Sequence, residues 1–118
     1  MGEIQEGNCF VVAHDLIVGN VKMVLCHGLL AAVGPHKERC HAWVELFGYV
    51  IDNSQGRSIM IPIQAYYDIQ RVISVKKYNH NQAMEMYANQ GHYGPWDDSV
   101  MTDDERRKIK ERNARKKK

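Results

Sequence analysis

A chain of 118 residues with 44% hydrophobic and 25% charged residues has the size and composition of one globular domain with a single modest core. No apolar run reaches the roughly 18 to 20 residues of a bilayer-spanning helix, and the opening MGEIQEGNCF carries acids where a secretory leader carries positive charge, so neither membrane insertion nor export is expected. The net charge of +2 conceals a division: residues 103–118 hold nine of the 16 basic and four of the 14 acidic residues, which leaves the preceding body at −3 and confines any attraction to nucleic acid to the tail.

Asn8 is a good N-cap for an apolar helix over Cys9 to Val18, which Gly19-Asn20 would stop. A thiol in the first turn sits at the positive end of the helix dipole, which favours thiolate, and the Cys9 backbone N–H is free to donate to a developing oxyanion. Val21 to Ala32 reads as a strand bent at Gly28, followed by a polar loop from Gly34-Pro35. Cys26, His27, His36, Cys40 and His41 crowd this region, yet none forms the closely paired spacing of a zinc site. Neighbours on a strand face opposite ways, so Cys26 and His27 do not converge on one metal, and no metal site is expected. Three cysteines without a leader point to reduced thiols and a cytoplasmic setting.

CHAWVELFGYVIDNS, residues 40–54, alternates apolar and polar positions about a Phe47-Gly48 turn and reads as a hairpin. With a two-residue loop, Leu46 faces Tyr49, Trp43 faces Asp52 and His41 faces Ser54. His41, Trp43, Glu45 and Asp52 then share one side of the sheet, with His41 and Asp52 diagonal neighbours, close enough for the carboxylate to orient the imidazole.

A further strand is expected at Ser58 to Ile61 and an amphipathic helix over Pro62 to Arg71, in which Tyr66 and Tyr67 could line a substrate groove but at helical spacing read rather as core. A strand over Arg71 to Tyr78 follows, then a helix opened by an Asn79–Gln82 capping box and closed by Gly91, and a loop at 92–96 that packs its aromatics on the body. Thr102 and Glu105 open a second capping box. Beyond Met101 only Ile109 and Ala114 are apolar, so nothing in the pattern would hold that helix to the core. Residues 1–100 therefore read as the domain and 101–118 as a charged, basic tail, whose end could make a weak nucleic-acid contact.

GNCF, HAWVEL and YVIDNS, in that order, resemble the nucleophile, histidine and aspartate segments of the transglutaminase-like branch of the papain-like cysteine-protease superfamily. The resemblance covers about residues 7 to 54, and Asn8 stands where that family often has glutamine. It implies an α+β fold, with the Cys9 helix packed on an antiparallel sheet that carries His41 and Asp52. It further implies a cysteine-nucleophile amide hydrolase or acyl transferase (protease, deamidase or transglutaminase chemistry) that uses a Cys9–His41–Asp52 triad and a thioester on protein or peptide substrates, with no cofactor. Asn8, Gln5 and Trp43 are the candidates for oxyanion or supporting roles. The competing reading is a catalytically silent papain-like domain that serves as a protein- or nucleic-acid-binding module.

Overall fold

The computed structural model describes residues 8–35, 37–53 and 58–116. Its architecture is α+β: helix α1 (Asn8–Val18) and a five-stranded antiparallel sheet in the order β4-β3-β2-β1-β5. The strands are β1 (Val24–Leu30), β2 (Arg39–Leu46), β3 (Tyr49–Asp52), β4 (Ile59–Pro62) and β5 (Val72–Tyr78). Helix α2 (Ile63–Gln70) links β4 to β5, α3 (His80–Gln90) follows β5, and α4 (Asp103–Lys116) ends the described chain after a 3₁₀ turn at Asp98–Val100. Among the described residues no helix is long and apolar enough to cross a membrane.

The period-two alternation of the strands divides the core between the two faces of the sheet. On one face Phe10, Ala13 and Ile17 of α1 pack with Leu25, Ala42, Val44 and Tyr78, together with Ala83 of α3. On the other, Cys26, Leu30, Trp43 and Val50 pack with Tyr66 of α2. His80 ties α3 to the end of α1 through Nδ1 and the Ile17 carbonyl, 2.8 Å apart.

The central hairpin forms as its sequence predicts. Leu46 pairs with Tyr49, and Phe47 (φ 51°) and Gly48 (φ 87°) both take positive φ, the requirement of a type I′ turn whose twist matches the strands. The capping box at Asn79 and Gln82 closes reciprocally, and Gly91 ends α3 in the left-handed region.

Two expectations shift. β1 begins at Val24 rather than Val21, because Asn20 folds a turn in which its side chain and carbonyl accept from Lys22 and Met23 N–H. Gly28 does not bend the strand; the register slips at Leu29/Leu30, opposite β5. Gly28 instead admits the indole of Trp43.

The charged segment is helical and is held at its start. Thr102 and Glu105 cap α4, and Arg106 donates to the Asp98 carbonyl through Nε (3.1 Å) and Nη2 (3.0 Å). Val100 and Met101 are buried, so the packed body extends through Met101.

Candidate functional site

Three elements converge at one end of the sheet. β2 outruns β3: their pairing covers Val44–Leu46, and continuing that register sets Trp43 opposite Asp52 with His41 on the diagonal. His41 Nε2 and Asp52 Oδ2 are 3.0 Å apart, and both side chains are largely withdrawn from solvent. Cys9, in the first turn of α1, acts on the same ring.

Burial of His41 opposes its protonation. The hydrogen bond with Asp52 and the contact with Cys9 outweigh it, and the imidazole is pushed up to about 9. At neutral pH the ring is therefore an imidazolium held by a buried carboxylate.

Asp52 Oδ2 has a second donor, the hydroxyl of Tyr66 at 2.7 Å. The next residue of α2 repeats the arrangement one acid along the same face: Tyr67 Oη donates to Glu45 Oε2 at 2.6 Å. Glu45 is buried and also accepts from Trp43 Nε1 (3.2 Å) and Lys77 Nζ (2.9 Å). Burial pushes the Glu45 carboxyl up, but its hydrogen bonds from Tyr67, Lys77 and Trp43 prevail and hold it below the usual carboxylate range.

The candidate supporting residues separate accordingly. Trp43 lies beside His41, ring centroids 6.0 Å apart, and beneath Tyr66 at 5.2 Å. Its N–H is committed to Glu45, so it supports the imidazole by packing and is not an oxyanion donor. Gln5 and the Asn8 side chain lie outside the described residues, as does Ser54, the expected partner of His41. The oxyanion donors available by position are the N–H groups of the first turn of α1, among them that of Cys9, which lie too early in the helix for an intrahelical acceptor.

Tyr66 is the residue that sequence reasoning reads as core and does not connect with Asp52. A signal existed. A tyrosine buried on a helix facing a strand needs an acceptor for its hydroxyl, and Glu45 and Asp52 are the strand acids on that face.

Cys9 is only 9% exposed. The crevice beside it, between Val12 and Leu16 of α1 and Ile51, Asp52 and Asn53, has no room for a water molecule. A wider cleft of about 470 Å³ starts at Phe10 and Cys40, the chain neighbours of Cys9 and His41. Its far wall is Thr102, Glu105 and Lys108 of the α4 segment.

Cys26 and His27 face opposite sides of β1, in the two separate cores, and His36 lies outside the described residues. Among the described residues no three His, Cys, Asp or Glu side chains are grouped to hold a metal ion. Comparison of the chain with family models, with curated proteins and with solved structures returns no match.

Proposed function

We propose that the protein is a small papain-like, transglutaminase-like enzyme, a cysteine-nucleophile amide hydrolase or acyl transferase acting on protein or peptide substrates through Cys9, His41 and Asp52. The observation that carries the reading is one imidazole on which both a carboxylate and a thiol act. A buried carboxylate holds Nε2 at 3.0 Å, and a thiol in the first turn of α1 raises the same ring's pKa. The reading is supported by the meeting of His41 and Asp52, from two strands, with Cys9 of α1 near enough to act on the imidazole.

In this mechanism the Cys9 proton already resides on His41 in the resting site, and the Cys9 thiolate attacks the acyl carbon, forming the C–S bond as the carbonyl π pair moves to oxygen. First-turn N–H groups of α1 receive that oxyanion. His41 then donates its proton to the leaving amine, the C–N bond breaks, and a thioester remains on Cys9. His41 takes a proton from water, or from an acceptor amine, which attacks the thioester and releases Cys9. Asp52 keeps Nε2 protonated throughout and balances the imidazolium.

The burial of Cys9 favours a second reading, a silent domain that binds a partner. Iodoacetamide labelling read by peptide mass spectrometry separates the two. In the enzyme reading Cys9 is alkylated at least tenfold faster than Cys26 and Cys40, whose thiols burial pushes up. Glutamine-containing and acylated peptides then leave a mass adduct on Cys9 that hydroxylamine removes. Equal labelling of all three cysteines, with no adduct from the panel, would leave only the binding module.

A further inference from the structure

We propose that Tyr66 is a positioning residue of this site: its hydroxyl fixes Asp52 Oδ2 so that the carboxylate stays aimed at His41 Nε2. The inference rests on the functional reading above and extends it to α2, an element that the Cys9, His41 and Asp52 segments do not include.

The geometry is specific. One carboxylate oxygen accepts from two directions, from the helix through Tyr66 Oη at 2.7 Å and from the neighbouring strand through His41 Nε2 at 3.0 Å. Tyr66 is itself buried, and desolvation together with the adjoining Asp52 charge raises its pKa far above the neutral range, so the hydroxyl stays protonated and donates. A carboxylate at the last residue of β3 retains rotation about its side-chain bonds unless something stops it. Two donors converging on Oδ2 select one rotamer, as a catalytic group held by packed and hydrogen-bonded neighbours requires. The ring of Tyr66 rests on Trp43, which in turn flanks His41, so one side chain braces both members of the pair. Among the described residues, the charged and titratable groups acting on His41 and Tyr66 include Asp52 from β3 and Cys9 from α1, with Arg39 from β2 also acting on Tyr66.

The test is the titration of His41 in Tyr66→Phe, followed by nuclear magnetic resonance and assigned by its loss in His41→Ala. Phenylalanine keeps the ring on Trp43 and removes only the hydroxyl. If Tyr66 positions Asp52, the carboxylate swings away in the variant and the His41 midpoint falls by at least about half a unit, from about 9 toward the free value of 6.5. In an Asp52→Ala background the same substitution should leave the midpoint unmoved, because the hydroxyl acts only through Asp52. An unchanged midpoint overturns the proposal. A rise does so as well, since it would mean that the hydroxyl merely drains charge from a carboxylate already fixed. An equal fall in both backgrounds overturns it too. Wild type supplies a check that does not depend on the folding of the variant: the buried Tyr66 hydroxyl proton should exchange slowly and show a nuclear Overhauser contact to the proton on His41 Nε2. Absence of that hydroxyl signal where the His41 proton is seen counts against the assignment. These readouts need no turnover. A midpoint that falls in a protein inert toward every substrate would remove the enzyme reading and leave the Tyr66–Asp52 coupling standing.

Discussion

Gly28 lies directly under the indole of Trp43. A Cβ at position 28 would stand 2.8 Å from Trp43 Cζ3 and closer still to Cη2, with the Ser74 carbonyl at 3.4 Å on another side. Gly28 pairs with His41 across β1 and β2, so the space it leaves open belongs to the floor of the candidate site. Trp43 is fixed by Glu45 at its N–H and by Tyr66 and Tyr67 at its ring, and cannot move aside cheaply.

Gly28→Ala should therefore destabilise the protein by about 1 to 3 kcal/mol, the usual cost of overpacking a filled core, in spite of alanine's lower conformational entropy in the unfolded chain. Urea unfolding monitored by tryptophan fluorescence measures it. A stability equal to or above wild type would show that Trp43 has an alternative position. The displaced indole should also disturb the ring beside it, visible as a shifted His41 resonance.

The pH dependence of stability should have its maximum near 6.5, set by two histidines with opposite shifts. His27 is fully buried among Phe10, Tyr78 and Trp96, and neither ring nitrogen has a hydrogen-bond partner among the described residues. Burial, reinforced by the neighbouring His14 and His92, lowers it to about 3. Its folded pKa lies below the unfolded value, so its contribution is intact above 6.5 and is lost as pH falls from there toward 3. His41 works the other way. Its folded pKa of about 9 exceeds the unfolded value, so its contribution is complete below 6.5 and is lost as pH rises through 9. His27→Phe, which keeps a ring in the aromatic pocket, should flatten the acid limb, and His41→Ala the alkaline limb. Urea midpoints between pH 4 and 10 read both. An acid limb unchanged in His27→Phe would assign the loss to the carboxylates instead.

How far the sequence reaches is clearest in these same residues. The hairpin and the His41–Asp52 diagonal were legible because both follow from a local period of two and a turn with a narrow conformational requirement. The caps at Asn79, Gly91 and Thr102 were legible for the same reason: the groups that satisfy one another lie within a few residues. Gly28 looked like a bend because a glycine in a strand reports only that a side chain is absent. The ring that needs the space comes from another strand. Tyr66 and Tyr67 showed an apolar helical face, but spacing says nothing of which acid each hydroxyl meets. That depends on how α2 crosses the sheet and on β5 pairing with β1, contacts set by the whole fold. His27 was invisible as a buried, unpartnered base, since a lone histidine in an apolar strand carries no signature of its surroundings.

The site variants should rank in a definite order on any amide or thioester substrate that the protein turns over. Cys9→Ser should be close to inactive, because a hydroxyl far from its pKa has no counterpart to the thiolate. His41→Ala removes the base of the first step and the acid of the leaving step, and should cost about 10²- to 10⁴-fold in kcat/KM. Asp52→Asn should cost less than His41→Ala, since the carboxylate holds the imidazole but touches no reacting atom; Tyr66 can still donate to the amide oxygen and preserve the local packing. With its anionic partner gone, the imidazolium loses its strongest support, and the His41 midpoint should fall from about 9. The rate and the midpoint together decide the assignment. If Asp52→Asn moved the His41 midpoint yet left kcat/KM unchanged, the pair would be a structural ion pair beside the chemistry. If Asp52→Asn and His41→Ala were equally damaging, the carboxylate would have to act on the substrate directly.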